Sequence, residues 1–171
     1  MPYYKNYQNL PKKPVKTFHD LDVYQRALEM NVFVVNILAF SFYSQMAKIK
    51  NKKAKNATGG AVDETKEMII KIMINCACSL PHLIAEAHSF RFGSQKECLI
   101  LLEKAMLNCN KMVVYLDQAR DICATGIATE QFNELEEKYF YLRRKILNLQ
   151  RAWQKYMRPV AERPAADIAR Y

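Results

Sequence analysis

The sequence predicts an all-α protein, an up-down-up-down four-helix bundle that self-associates. Apolar residues recur at alternating spacings of three and four along four stretches, which is the seam of packed helices. Only four glycines and six prolines occur in 171 residues, too few for the turns of an all-β meander. Half of the chain is hydrophobic, enough for one domain with its own core. The third apolar stretch carries more greasy faces than one bundle contact can cover, hence the self-association.

Residues 1–16 form a basic arm with Lys5, Lys12, Lys13 and Lys16 and no acid. Pro2, Pro11 and Pro14 resist helix and the charges repel, so the arm is expected to be extended. Tyr3, Tyr4 and Tyr7 interleave with the lysines; they either stack on bases or pack onto the bundle.

The bundle is expected over 17–157. Its first helix starts near Thr17 to Asp20, both fit to be N-caps, and runs to about Lys50. Leu21, Tyr24, Leu28, Val35, Leu38 and Phe42 keep heptad spacing, and Phe33, Ile37 and Phe40 form a second stripe on another face. A helix apolar on two sides is usually buried on two sides. Asn51 to Val62 reads as a loop holding Lys52, Lys53, Lys55, Gly59 and Gly60, either a solvated connector or a phosphate contact.

The second helix places Asp63, Glu64 and Glu67 where the macrodipole favours acids. Its seam is Ile69, Met73, Cys76, Leu80, Leu83, Ala87 and Phe90, with a kink expected at Pro81. Arg91, Phe92 and Gly93 make the turn. Ser94 and Glu97 have the spacing of a capping box opening the third helix. Its seam is Cys98, Leu102, Ala105, Cys109, Met112, Leu116, Ala119 and Cys123. Two further stripes, Leu99, Met106, Val113 and Ile100, Leu107, Val114, leave only a narrow polar strip. With Phe33, Ile37 and Phe40 they are the candidate oligomer interface.

Gly126 suits the end of that helix and Thr129 the cap of the fourth. The fourth carries Phe132, Leu135, Tyr139, Leu142, Ile146, Leu149, Trp153 and Tyr156 on one face, and Arg144, Arg151, Lys155 and Arg158 on the opposite one. Residues 158–171, with Pro159 and Pro164, form a loosely ordered tail.

A formal charge of +9 favours an acidic partner such as nucleic acid and says nothing about fold. Topology then concentrates the charge. In an up-down-up-down bundle Lys12, Lys13, Lys16, Arg91, Lys96, Arg151, Lys155 and Arg158 meet at one end. The other end has Lys52, Lys53 and Lys55, offset by Asp63, Glu64, Glu67, Asp121 and Glu130. These cations, with Arg144, are the candidate nucleic-acid contacts, and oligomerisation would multiply them.

The five cysteines (Cys76, Cys78, Cys98, Cys109, Cys123) sit inside helical patterns without a C-x-x-C pair and read as buried thiols in a reducing compartment. His82 and His88 are six apart and do not share a helix face as H-E-x-x-H requires; a His82–Glu86 pair reads as structural. No P-loop, G-x-G-x-x-G, G-x-S-x-G or zinc-spaced set occurs, so no catalytic residue, cofactor or metal is expected. The N-terminus lacks an apolar signal region, and the run Val32 to Tyr43 is too short to span a bilayer. A cytoplasmic protein is expected.

Phe18-x-x-Leu21-x-Val23-Tyr24-x-x-Ala27, then Ser79-Leu80-Pro81-x-x-Ile84-Ala85-Glu86, then Ser94-x-x-Glu97 with Ala105 resemble the four-helix-bundle proteins encoded in ribosomal RNA intervening sequences. That superfamily includes the accessory variability determinant (Avd) proteins of diversity-generating retroelements. The resemblance covers about residues 17 to 156. Ala87 departs from the Gly usual after Ala-Glu, and Lys111 stands where the family has an acid. The lysine loop, basic arm and net charge look more like the Avd branch. The resemblance implies a homopentamer that binds a reverse transcriptase and structured template RNA, supporting mutagenic cDNA synthesis; it carries no partner-contact residue over. From the residues alone an oligomeric scaffold with a protein partner competes, its lysines serving solubility.

Overall fold

A computed structural model describes residues 15–53, 60–123 and 125–157, and side chains over 15–48, 64–123 and 125–156. Every regular element among them is helical. A short 3₁₀ turn, Phe18–Asp20, leads into one long rod made of α1 (Asp22–Phe33), a π-helical segment (Val34–Ala39) and α2 (Phe40–Lys53). Three further rods follow: α3 (Gly60–Phe90), α4 (Gln95–Ile122) and α5 (Thr129–Met157). Four helical rods therefore match the expected number. The arm, the tail and Lys55 lie outside the described residues.

The most extensive packing is α3 on α4, then α4 on α5, while α1 closes against both α3 and α5. Small buried side chains on α3 and α4 (Ala77, Ala87, Cys98, Ala105, Cys109, Ala119) let those backbones approach. The α4 seam read from spacing, Cys98 through Cys123, is buried at every position. On α5 the seam is buried from Phe132 through Ile146, half-buried at Leu149 and Trp153, and exposed at Tyr156. On α3 the deepest residues include Ile70, Ala77 and Ile84, which the heptad reading passed over, while Cys76 and Leu83 are half-buried and Phe90 is exposed.

The first rod departs most from expectation. Val23, Ala27, Met30 and Val34 are buried, whereas Leu28 and Val35 are exposed. A regular α-helix would next bury Ile37 and Ser41. Instead Leu38 and Phe42 are buried, each 1% exposed, and Ile37 is 40% exposed. The π segment explains this: a wider turn inserts one extra residue and advances the core register by one. The heptad reading therefore holds at Leu21, Leu38 and Phe42, is half-met at Tyr24, and fails at Leu28 and at Val35 inside the π segment.

The termini also differ in detail. The Asp20 carboxylate accepts from the N–H groups of Lys16 (3.0 Å) and Thr17 (2.9 Å), which holds its pKa below the usual carboxylate range. α1 thus starts at Asp22, after a 3₁₀ turn. The expected Ser94–Glu97 box is not formed: Ser94 takes the extended N-cap backbone, but its side chain makes no capping bond, and Glu97 is exposed. Thr129 is the first residue of α5 and not its cap. Gly126 lies beyond the end of α4 at φ 71°, where a Cβ would also collide with Gln45. The lysine loop is shorter than expected, because Asn51–Lys53 continue α2 and Gly60–Val62 already belong to α3.

Pro81 sits inside α3, which continues across it as one element. Its neighbours Leu80 and Ile84 are fully buried, so packing on both sides holds the helix through the missing hydrogen bond. Asp22–Lys48 and Glu64–Phe90 are long and apolar enough, by length and composition alone, to cross a membrane. Both stretches put side chains into the common core, among them Leu38, Phe42, Ile70, Met73 and Leu80.

Candidate nucleic-acid interface

Side-chain contacts place the candidate cations. Phe18 meets His88 edge-on at 6.4 Å, and His88 lies 6.2 Å from Trp153. Gln150, only 6% exposed, donates to the Leu99 carbonyl at 3.4 Å. The residues before α1, the end of α3, the start of α4 and the end of α5 therefore share one end. Lys16, Lys96, Arg151 and Lys155 are exposed there and Arg91 is half-buried beside them. Arg144 is also exposed but lies two turns back along α5, about 10 Å from Arg151. Lys52 and Lys53 are the last two residues of α2. Lys12, Lys13, Lys55 and Arg158 fall outside the described residues.

The opposite end is marked by the Cys123 thiol near the Lys66 carbonyl and by Arg120, which pairs with Asp117 (2.7 Å), Asp121 (2.8 Å) and Glu136 (3.1 Å). Glu64, Glu130 and Glu134 are exposed toward that end. Cations and anions are nearly balanced over the described side chains. The surplus falls on Lys5, Lys12 and Lys13, the lysines of 50–55, and Arg158, Arg163 and Arg170. Asp20, Asp22 and Glu97 are exposed among the cations of the first end, so the net excess comes from the segments outside the described side chains.

Several features were not read from the sequence. His88 is packed between Phe18 and Trp153, and its Nε2 is buried with no hydrogen-bond partner among the described residues. Burial first, then the nearby Arg91 charge, hold its pKa below the 6.5 of a free histidine. The fold therefore favours neutral His88. Its contribution to stability is present above pH 6.5 and declines as pH falls below that value. An NMR titration should find the His88 midpoint below the free value, and the first acid loosening around Trp153. Asp22 joins α1 to α5 by pairing with Arg26 at 2.9 Å and Lys145 at 3.8 Å, and both cations flank the Tyr141 ring. Those two cations are engaged in holding helices together.

The candidate interface stripes divide. Leu99, Ile100, Met106, Val113 and Phe33 are half-buried within one chain, while Leu107, Val114, Ile37 and Phe40 are exposed. Phe40 is 70% exposed. A groove of about 350 Å³ lies between the first rod and α5, lined by Glu29, Val32, Phe33, Ile37, Leu135 and Lys138.

All five cysteines are free. Burial raises the Cys76 thiol to about 11 and Cys109 to about 12, which keeps both protonated and poorly nucleophilic near neutral pH. Among the described residues no three of His, Cys, Asp or Glu are grouped to hold a metal ion. His82 and Glu86 both face solvent. Comparison with known protein families, characterised proteins and solved structures finds no match.

Proposed function

We propose that the chain is a non-catalytic, basic accessory protein of the Avd type, in which the four rods form an up-down-up-down bundle. In this reading copies associate, as a pentamer by the sequence resemblance, and the cytoplasmic assembly binds a reverse transcriptase and structured template RNA or its cDNA. The observation that carries it is the grouping of Lys16, Arg91, Lys96, Arg151 and Lys155 at one end, interspersed with the exposed Asp20, Asp22 and Glu97, while Glu64, Glu130 and Glu134 are exposed toward the other. A body polarised in this way orients on a polyanion, and the lysines and arginines of the flanking segments add phosphate contacts. Exposed Ile37, Phe40, Leu107 and Val114 support association between copies.

The test is RNA affinity against salt. Log K should fall linearly with log salt, by about 0.7 to 0.9 per phosphate neutralised. The triple variant Lys96→Glu, Arg151→Glu, Lys155→Glu should shallow that slope by about two units or more, while Glu130→Lys with Glu134→Lys does not. An affinity independent of salt, or one indifferent to the triple variant, defeats the proposal. The groove and Phe40 favour the second reading, a protein-binding scaffold, which predicts a protein partner retained after nuclease treatment.

A further inference from the structure

The turn between α3 and α4 holds the most exposed large apolar side chain among the described residues: Phe92, 88% exposed. Its backbone is fixed by hydrogen bonds from Gly93 and Ser94 to the Phe90 carbonyl, each 3.1 Å. The Arg91 guanidinium carbon stands 4.4 Å from the ring centroid, while Arg91 Nε is buried without a hydrogen-bond partner among the described residues. The ring is thus presented from a rigid corner with a cation on one side. Exposed Lys96, Arg151 and Lys155 stand at the same end, and Phe90 and Tyr156 are exposed there too. An aromatic ring set among cations that track a backbone is the arrangement that stacks unpaired bases.

We propose that Phe92 is a stacking platform for an unpaired base, which makes single-stranded RNA, or a single-stranded segment of a structured RNA, the ligand of this end. The inference rests on the RNA-binding reading and adds to it a conformational preference. A duplex keeps its bases stacked and offers this end only phosphates and sugars, so it gains nothing from the ring. A base leaving the stack recovers its lost contact on Phe92, sandwiched opposite Arg91.

The test uses the full chain with two probes at fixed salt, a labelled single-stranded oligoadenylate and a blunt RNA duplex of the same length. Phe92→Ala should weaken the single strand roughly tenfold, leave the duplex unchanged and leave the salt slope unchanged. Phe92→Trp should restore binding, and its indole fluorescence should be quenched by the bound oligonucleotide. Phe92 lies on the surface, so circular dichroism should not distinguish these variants from the parent chain. If the parent binds both probes and Phe92→Ala weakens neither, or weakens both equally, the stacking inference is overturned while the RNA reading stands. If the parent binds neither, both fall. Loss of sedimentation with phosphatidylserine vesicles, or a changed mass in light scattering, with RNA affinity intact, would assign Phe92 to a membrane or to a second copy and overturn the inference.

Discussion

Deleting Asn36 should leave the protein folded with stability equal to or above that of the parent, whereas deleting Asn110 should abolish cooperative unfolding. Both residues are exposed asparagines inside long helices, and in an ordinary α-helix either deletion rotates everything downstream by about 100°. For α4 that rotation carries Met112, Leu116 and Ala119 out of a core in which each is 0% exposed. Losing the burial of each large side chain costs about 1.5 to 3 kcal/mol, and the sum with the polar residues turned inward approaches the whole stability of a domain. Asn36 sits in the π segment, where the chain already holds one residue too many. Removing it lets α1 run regularly from Val34 to Leu38 and Phe42, which then fall on the same face without the wide turn. Thermal and urea denaturation followed by far-UV circular dichroism check the pair. If the Asn36 deletion unfolds like the Asn110 deletion, the π turn is not what sets the register of the first rod.

The same segment marks how far the sequence can be read. Four rods, their order and the seams of α4 and α5 were legible because an uninterrupted three-and-four spacing leaves only one way to bury them. Leu28 and Val35 were misplaced because a register shift of one residue leaves no trace in composition: Ile37 and Leu38 are equally apolar, and only packing chooses between them. Caps were less legible for a related reason. Ser94 and Glu97 have the right spacing, yet the bonds do not form, while the Asp20 carboxylate turns back to backbone N–H groups in a 3₁₀ turn that the spacing alone does not distinguish. The shared end of Lys16, Arg91, Lys96, Arg151 and Lys155 followed from chain order, since short connections leave few places for helix ends to lie. His88 did not, because its burial comes from Phe18 and Trp153, distant in sequence. Phe92 was read only as part of a turn. Its exposure is a property of the corner it occupies, and an aromatic in a turn is as easily folded inward.

Tyr139→Ala should cost about 3 to 5 kcal/mol, and Tyr139→Phe should stabilise by about 1 to 2 kcal/mol. The ring is 0% exposed on α5, among the largest fully buried side chains, so truncation leaves a cavity that packed helices cannot collapse to fill. Its hydroxyl is a different matter. It is buried with no hydrogen-bond partner among the described residues, and Cys76, Cys78 and Cys109 lie close enough to disfavour its ionised form. Phenylalanine keeps the packing and removes the orphaned donor, so the two substitutions move stability in opposite directions at one site. Alkaline pH supplies an independent readout. Burial raises the Tyr139 pKa far above the 10 of a free tyrosine, so the fold holds it neutral and its contribution is lost as pH rises above 10, where the unfolded chain ionises. Tyr139→Phe should remove that part of the alkaline loss, and denaturant titrations on both sides of the free value will show it. A destabilised Tyr139→Phe variant would mean that the hydroxyl has a partner, an ordered water or a neighbouring thiol, and that the centre of the fold is a polar junction and not a dry seam.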